Sequence, residues 1–251
     1  MRFRVVIPSR YGSQRLPGKP LADICGCPLV LHVCNRAKES GAAEVLVATD
    51  DARIRDVCQG AGVSVEMTSP NHASGTDRIA EVATRRGWGD DDLVVNLQGD
   101  EPLMPSANVE QAARLLESGA DMSTVCTPIH DLTEFLNPNV VKVVADGQGR
   151  ALYFSRAPIP WNRDGVSGGL GGQQHYQGAL RHIGLYGYRV GALKRLAATP
   201  PCELEQLEKL EQLRALWLGM RIAIDVAREL PGPSVDTPDD LKRVATLIQG
   251  R

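Results

Sequence analysis

Short apolar runs alternate with helical patterns over the first 120 residues of the chain. Apolar or β-branched residues fill 5–8, 44–49, 63–67 and 93–97, and between these runs apolar positions recur at helical spacing over 29–37, over 51–61 and from about residue 76. Gly41 and Gly62 follow two of the helical patterns, as is typical of helix ends. The alternation predicts an α/β fold with a mostly parallel central sheet and helices on both faces.

The pattern changes after residue 120. Residues 121–127, 139–145, 151–155 and 180–189 predict strands with little helix between them, and therefore a smaller antiparallel extension. Leucines at helical spacing predict one helix over 203–218. A glycine-rich loop at 165–178 fits a mobile cover over a site and fits plain flexibility equally well. Because no linker-like stretch interrupts the chain, we expect a single domain over 1–251.

A loop with three cations follows the first predicted strand. Arg10, Arg15 and Lys19 come after Pro8, at the end of the sheet where open α/β folds bind their ligands. The prolines restrict the backbone and the glycines allow close approach, which favours a held anion such as a triphosphate; ordinary solvated surface is the alternative, and the residues alone leave both open. The loop is not a Walker A motif, because Pro20 follows the lysine where that motif needs Ser or Thr.

Other polar residues end predicted strands or begin predicted helices, and each allows two interpretations. Asp100 follows the strand 93–97, where it suits a Mg²⁺ ligand or a simple turn. Asp236 precedes a predicted helix start with Thr237 as cap and Pro238 at the first position, and an isolated Asp there is a turn residue. Ser74, Gly75 and Thr76 also lie at the start of a predicted helix; capping is the simpler interpretation there, and binding of an anion or a polar base is the alternative.

Two further patterns place polar side chains together. Strand alternation gives one face an imidazole and phenols, although a lone His is more often structural than a ligand contact. On the predicted helix 203–218, acidic and amide side chains share a face, for which solvation is the default interpretation. The residues are His182, Tyr186 and Tyr188 on the strand, and Glu208, Glu211 and Gln212 on the helix.

Composition narrows the range of functions. A net charge of −2 and a pI near 6.2 give no general attraction to nucleic acid or to an anionic membrane. The first apolar run ends at Pro8, so we expect no signal peptide, no membrane insertion and a cytoplasmic protein. Six dispersed cysteines favour reduced thiols, and the single pair Cys25 and Cys27 is a weak metal motif.

Motifs along the whole chain resemble the cytidylyltransferases that activate acidic sugars, in particular those that act on 3-deoxy-D-manno-octulosonate (Kdo). They are PSRYGSQRLPGKP at 8–20, VATDD at 47–51, HASGTDRIAE at 72–81, VNLQGDEP at 95–102, NPNVVKVV at 137–144, ALYFSRAPIPW at 151–161, RHIGLYGYR at 181–189, LEQLRALW at 210–217 and VDTPDDL at 235–241. Ser9 and Gly12 depart from the family pattern, which has Ala at the first position and Ala or Ser at the second.

The resemblance implies a Rossmann-like nucleotide-diphospho-sugar transferase fold and an enzyme that transfers the cytidylyl group from CTP to Kdo, releasing pyrophosphate, for lipopolysaccharide biosynthesis. It implies Mg²⁺ as cofactor, no nucleic-acid partner, and a homodimer to which 121–218 contribute. The implied catalytic residues are Lys19, Asp100 and Asp236, with the two aspartates as metal ligands; the implied nucleotide contacts are Arg10, Arg15, Lys19, Thr68, Ser74 and Gly75; and the implied sugar contacts are Gln98, His182, Tyr186, Glu211 and Gln212.

Three alternatives stay open at this point. The same chemistry acting on sialic acid or on an 8-amino analogue of Kdo is the nearest. Sugar-1-phosphate nucleotidyltransferases also carry a basic loop after their first strand, but theirs is a glycine-rich run unlike this one. A nucleotide-binding protein that has lost the chemistry is the third, and the presence of both candidate metal carboxylates and all three loop cations argues against it.

Overall fold

The computed structural model describes residues 1–12, 15–164 and 172–250. Its strands are β1 Phe3–Ser9, β2 Asp23–Ile24, β3 Cys27–Pro28, β4 Glu44–Thr49, β5 Ser64–Met67, β6 Leu93–Asn96, β7 Met122–Pro128, β8 Lys142–Ala145, β9 Ala151–Ser155, β10 Leu180–Arg189 and β11 Ile222–Val226. Its α-helices are α1 Leu29–Glu39, α2 Ala52–Gly60, α3 Gly75–Arg85, α4 Ser106–Leu115, α5 Leu132–Leu136, α6 Val190–Ala197, α7 Glu203–Glu208, α8 Gln212–Trp217 and α9 Pro238–Gln249.

One large sheet organises the molecule, with strand order β11-β7-β10-β6-β1-β4-β5. Pairing is parallel around β1, which lies between β4 and β6, and it is antiparallel around β10, which lies between β6 and β7. The strands β8 and β9 extend the sheet antiparallel from β10. This arrangement confirms the predicted α/β class and the antiparallel extension.

Helices cover both faces of the sheet. Val6 of β1 packs in the layer of α3 and α6, whereas Val5 and Ile7 pack in the layer of α1, α2 and α4. Because neighbouring residues of β1 are buried on opposite sides, the strand is continuously apolar, as parallel strands covered on both faces are. A smaller cluster attaches α9 to the start of α1, and its members are Ile24, Leu29, Leu103, Val235 and Val244.

The predicted single helix over 203–218 is wrong. Helix α7 ends at Glu208, Lys209 follows with a left-handed φ of 54°, and α8 begins at Gln212. The Glu208 carboxylate is drawn toward β9, where it accepts hydrogen bonds from Ser155 Oγ at 2.6 Å and from the Arg156 amide at 2.9 Å. Glu211 instead accepts from Thr76. The shared acidic face predicted for Glu208, Glu211 and Gln212 is therefore wrong as well.

Two other predictions concern loops. Half of the glycine-rich loop at 165–178 lies outside the described residues, since 165–171 are not among them. Cys25 and Gly26 form the two-residue turn of the β2–β3 hairpin, with φ values of 54° and 81°, and the thiols of Cys25 and Cys27 are free. None of the helices in the described part is long and apolar enough to cross a membrane.

Candidate active site

A cavity of about 760 Å³ opens where β1 and β6 end, between the basic loop and the start of α3. Ligands of open α/β sheets bind at this edge, outside the carboxyl ends of the strands. All the residues that the sequence predicts for the site line this cavity except Thr68: they are Arg10, Arg15, Lys19, Ser74, Gly75, Gln98, Asp100, His182, Tyr186, Glu211, Gln212 and Asp236. Motifs that lie up to 226 positions apart therefore meet in one place.

The basic loop is tied to the rest of the fold by Tyr11. The guanidinium carbon of Arg53, at the start of α2, lies 3.4 Å from the centre of the Tyr11 ring, a cation–π contact. The ring also packs on Gly18, where an added Cβ would lie 3.1 Å from the Tyr11 hydroxyl, and Gly18 has a φ of 68°. A glycine suits both needs. The stack therefore fixes the turn from which Lys19 reaches the cavity.

Lys19 joins two carboxylates that come from distant parts of the chain. Its Nζ lies 2.8 Å from Asp100 Oδ2 and 3.2 Å from Asp236 Oδ1, and Arg15 lies 3.0 Å from the same Asp236 oxygen. Asp100 follows β6, and Asp236 precedes the first residues of α9. The Val235 amide donates to the Asp100 carbonyl at 2.9 Å, which holds the two segments together.

The two aspartates fit a Mg²⁺ site. Magnesium binds through one or two carboxylates and completes its shell with water and substrate phosphates. Within the described ranges no group of three His, Cys, Asp or Glu side chains converges to form an all-protein cage. The carboxyl group of neighbouring Glu101 is largely protonated near neutral pH. Burial raises its pKa, and the negative charges of Asp100 and Asp236 raise it further, to about 8.

The start of α3 forms the next part of the wall. Ser74 Oγ accepts from the Asp77 amide and the Asp77 carboxylate accepts from the Ser74 amide, both at 3.1 Å, so Ser74 is a helix cap. The capping interpretation is confirmed, and Ser74 and Gly75 nonetheless face the cavity. Thr68 is not among its lining residues in the described chain; its hydroxyl accepts from buried Arg78, which does line the cavity and pairs with Asp50 at 2.9 Å.

The opposite wall is formed by β10. Gln98 donates through Nε2 to the Gly184 carbonyl at 2.8 Å, which holds its side chain across the strand end. His182 and Tyr186 lie on one face of β10, with ring centres 5.3 Å apart, as the alternation predicts. Burial raises the pKa of Tyr186, so its hydroxyl keeps its hydrogen.

His182 is neutral, and one of its nitrogens is committed. Burial lowers the pKa of His182 to about 3. Thr124 Oγ1 lies 2.8 Å from the Leu185 carbonyl and 3.0 Å from His182 Nε2. Because a hydroxyl has one hydrogen and a carbonyl only accepts, Thr124 donates to the carbonyl and accepts from the Nε2–H. Nδ1 is thus left as the acceptor of the ring.

Glu211 closes the wall between the helix start and β10. Its carboxylate accepts a hydrogen bond from the Thr76 hydroxyl, and its Oε2 lies 3.5 Å from Nη2 of Arg214. Burial raises the pKa of Glu211, while its hydrogen bonds and Arg214 oppose that shift. A partly buried acceptor of this kind suits the hydroxyl groups of a ligand.

Sequence reasoning missed several residues of the wall. They are Ser9, His72, Arg78, Asn96 and Lys209. Tyr188, which the alternation groups with His182 and Tyr186, also lines the cavity. No local signal marked Arg78, because its burial depends on Asp50, 28 positions earlier in the chain.

Comparisons with known proteins agree with this site. The model of a family described as cytidylyltransferase matches residues 4–222 of the chain. The chain belongs to the cytidylyltransferase family. It is 55% identical to the 3-deoxy-manno-octulosonate cytidylyltransferase of Alkalilimnicola ehrlichii over 248 residues, which cover 98% of this chain and 96% of the relative. It is also 55% identical to the protein of the same name from Thioalkalivibrio sulfidiphilus, covering 99% of this chain and all of that one.

Two solved structures are similar in fold to this cytidylyltransferase. A CMP:2-keto-3-deoxy-manno-octonic acid synthetase complexed with CTP matches with a TM-score of 0.88 at 40% identity, covering 100% of this chain and 99% of that one. A 4-diphosphocytidyl-2C-methyl-D-erythritol synthase matches with a TM-score of 0.65 at 13% identity, a likeness of fold alone. The family and the enzyme class predicted from the sequence are confirmed, and the roles of individual site residues stay predictions.

Proposed function

We propose that this cytidylyltransferase transfers the cytidylyl group of CTP to Kdo, giving CMP-Kdo and pyrophosphate. The observation that carries the proposal is the cavity itself, where three loop cations and two carboxylates occupy one end and a wall of hydroxyl, amide and imidazole groups occupies the other. An anionic triphosphate suits the first end, and a polyhydroxylated acid suits the second. The similarity to relatives of the same name over nearly the full chain supports the choice of both substrates.

The reaction is a displacement at the α-phosphorus. The anomeric hydroxyl oxygen of Kdo forms a bond to phosphorus, the bond to the pyrophosphate oxygen breaks, and the hydroxyl proton leaves to solvent. The protein must orient the two oxygens in line and stabilise negative charge on the phosphates. Arg10, Arg15 and Lys19 provide fixed positive charge; the arginines suit paired phosphate oxygens and Lys19 acts as a point charge.

Asp100 and Asp236 are the proposed Mg²⁺ ligands. When bound, Mg²⁺ would supply positive charge to the phosphates and lower the pKa of the attacking hydroxyl. In the structure Lys19 already neutralises part of the charge of both carboxylates, at 2.8 and 3.2 Å. This contact keeps the two aspartates together and gives them a cationic neighbour that can move to a phosphate oxygen.

Two walls of the cavity are proposed to contact the rest of the two substrates. Ser74 and Gly75 at the start of α3 are proposed to contact the nucleotide, with Thr68 acting through Arg78 behind them. Gln98, His182, Tyr186, Glu211 and Gln212 are proposed to bind the sugar acid.

These last five residues offer both hydrogen-bond donors and acceptors. The Tyr186 hydroxyl and the amides can donate, whereas His182 Nδ1 and Glu211 accept. Hydroxyl groups of the sugar, which do both, match such a set.

The active unit is proposed to be a homodimer. Several large apolar side chains of the region 121–218 are exposed, which is unusual for a surface that stays in water. They are Leu136, Leu152, Trp161, Leu204, Leu207 and Trp217. The elements α7 and β9 that carry three of them are neighbours, as the contact of Glu208 with Ser155 shows. Cytoplasmic location and a role in lipopolysaccharide synthesis stay predictions.

Pyrophosphate release from the purified protein tests the proposal. With CTP, Kdo and Mg²⁺ we expect release that a chelator abolishes, and we expect little release when UTP replaces CTP or when sialic acid replaces Kdo. Release with an 8-amino analogue of Kdo in preference to Kdo would keep the chemistry and change the substrate. CTP binding with no release for any acid would contradict the proposal and indicate a nucleotide-binding protein.

A further inference from the structure

A buried hydroxyl in the cavity wall has no hydrogen-bond partner within the described part of the chain. Ser9, the last residue of β1, is 2% exposed, and its Oγ has no hydrogen-bond partner among the described residues. Such a group is costly in a folded protein and usually bonds to a ligand or to water. Within the described chain the other buried side-chain atom without a partner is Asn96 Oδ1, and Asn96 lines the same cavity. Their shared location points to a ligand.

The position of Ser9 identifies which part of a ligand it faces. Val5, Ile7 and Ser9 are alternate residues of β1, and their side chains lie on the same face of the strand. Because Val5 and Ile7 pack in the layer of α1 and α4, the Ser9 side chain is directed to that layer too. The turn at Lys19 contacts α1 in this layer. Arg10 is the next residue of the chain, and Asp100 follows Gly99, which adjoins the hydroxyl. Ser9 is therefore next to the first loop cation in the chain and packs against the residue that precedes the first carboxylate.

Gly99 packs directly against the hydroxyl. A Cβ added to Gly99 would lie 2.7 Å from Ser9 Oγ and 2.9 Å from the Pro8 carbonyl. Any side chain at this position would collide with the hydroxyl and with backbone. The glycine thus lets the segment before Asp100 pack closely on the end of β1, where Ser9 and Gly99 both line the cavity.

We propose that the Ser9 hydroxyl donates a hydrogen bond to a phosphate oxygen of the bound nucleotide. The proposal rests on the proposed function, which puts the triphosphate of CTP along Arg10, Arg15 and Lys19. Phosphate oxygens only accept, and a hydroxyl that finds no acceptor among the described residues has its hydrogen to give. The contact adds to the nucleotide affinity that the three loop cations provide.

Replacing Ser9 with Ala gives two effects of opposite sign. Removing the unpartnered hydroxyl raises the Tm of the ligand-free protein by about 2–4 °C, since about 1 kcal/mol has that effect in a domain of this size. Losing a hydrogen bond to a charged acceptor weakens CTP binding about tenfold. Binding of cytidine, which lacks phosphate, stays unchanged. Thermal unfolding and calorimetric titration with CTP and cytidine measure these quantities.

Ser123→Ala is the matched control. Ser123 is also fully buried, but its hydroxyl donates to the Ala112 carbonyl, and it does not line the cavity within the described residues. Its removal lowers the Tm and leaves CTP affinity unchanged. Unchanged CTP affinity in Ser9→Ala overturns the proposal, and so does an equal loss of cytidine binding, which assigns the contact to the nucleoside. Failure of the unaltered protein to bind CTP or to release pyrophosphate would instead contradict the proposed function.

Discussion

At the residue scale, the proposed chemistry depends on the pair of aspartates around Lys19. Asp100→Asn removes one negative charge from the proposed metal site while keeping the shape of the side chain. We expect pyrophosphate release to fall by about 10²–10³-fold, the range seen when one stabilising contact to a transition state is lost. Rates measured over a Mg²⁺ titration test this expectation.

Asp239→Asn is the control for that change. Asp239 lies in the first turn of α9, three residues after Asp236. Its side chain is 92% exposed and pairs with Lys242 on the surface. Its replacement should leave turnover within about twofold of the unaltered protein, since exposed ion pairs contribute little. Nearly normal turnover of Asp100→Asn at ordinary Mg²⁺ would rule out its role as a ligand.

His182 makes stability depend on pH. Its pKa is about 3 in the folded protein and near 6.5 in an unfolded chain, so below pH 6.5 the unfolded chain takes up a proton that the folded protein does not. The free energy of unfolding therefore falls on acidification, by about 1.4 kcal/mol at pH 5.5 from this residue. Urea unfolding of His182→Gln at pH 7.5 and 5.5 should show a smaller loss than the unaltered protein.

The exposed His130 provides the comparison for this measurement. His130→Gln should lose as much stability between the two pH values as the unaltered protein does. An equal loss in His182→Gln would mean that His182 is protonated in the folded state, and the assignment of Nδ1 as an acceptor for the sugar acid would then be wrong. His182→Gln should also raise the KM for Kdo more than the KM for CTP.

At the scale of elements, the start of α9 positions Asp236. Thr237 caps the helix, and the Asp240 carboxylate accepts from the amides of both Thr237 and Asp236, at 2.9 and 3.2 Å. Thr237→Ala should destabilise the protein by about 1 kcal/mol through the lost cap. Because the backbone of Asp236 belongs to the same arrangement, we also expect a higher Mg²⁺ requirement in the pyrophosphate assay.

A second threonine of α9 separates these two effects. Thr246 is exposed near the other end of the helix, where its hydroxyl donates to the Lys242 carbonyl. Thr246→Ala should leave the Mg²⁺ requirement unchanged. If Thr237→Ala loses stability but shows the same Mg²⁺ dependence as the unaltered protein, the cap does not position the metal ligand.

Local signals predicted these elements well wherever local chemistry decides them. The Thr237 cap, Ser74 before α3 and the strand alternation that groups His182 with Tyr186 follow from neighbouring residues, and all three hold in the structure. The break between α7 and α8 does not follow from them. It depends on the contact of Glu208 with Ser155, 53 positions away, which overrides the helical spacing of the leucines.

At the scale of the molecule, the order of elements predicted the sheet but left the site undecided. Alternating strands and helices indicate that several strands end at one edge, and polar residues after those strands are then expected to meet. Whether Asp100 and Asp236 share one cation depends on α9 packing beside α1 through Leu29, Val235 and Val244, a contact that spacing alone does not specify. The resemblance to a family supplied what periodicity did not.

Assembly is the remaining property at this scale, and Leu207 tests it. Its side chain is 72% exposed on α7, within the region proposed for the dimer. We expect sedimentation of the unaltered protein to give about twice the chain mass of 27.1 kDa. A buried charge without a partner is strongly unfavourable at an apolar interface, so Leu207→Glu should shift the protein toward the monomer.

Leu230 allows a matched comparison, because it is also 72% exposed but lies after β11, outside 121–218. Leu230→Glu should remain dimeric, so a monomer produced by both variants would indicate a general loss of folding instead of a lost interface. A dimer unaffected by Leu207→Glu would place the interface elsewhere. Since α7 leads directly through Lys209 to Glu211 and Gln212, dissociation should also raise the KM for Kdo, and that shift would link assembly to the sugar end of the cavity.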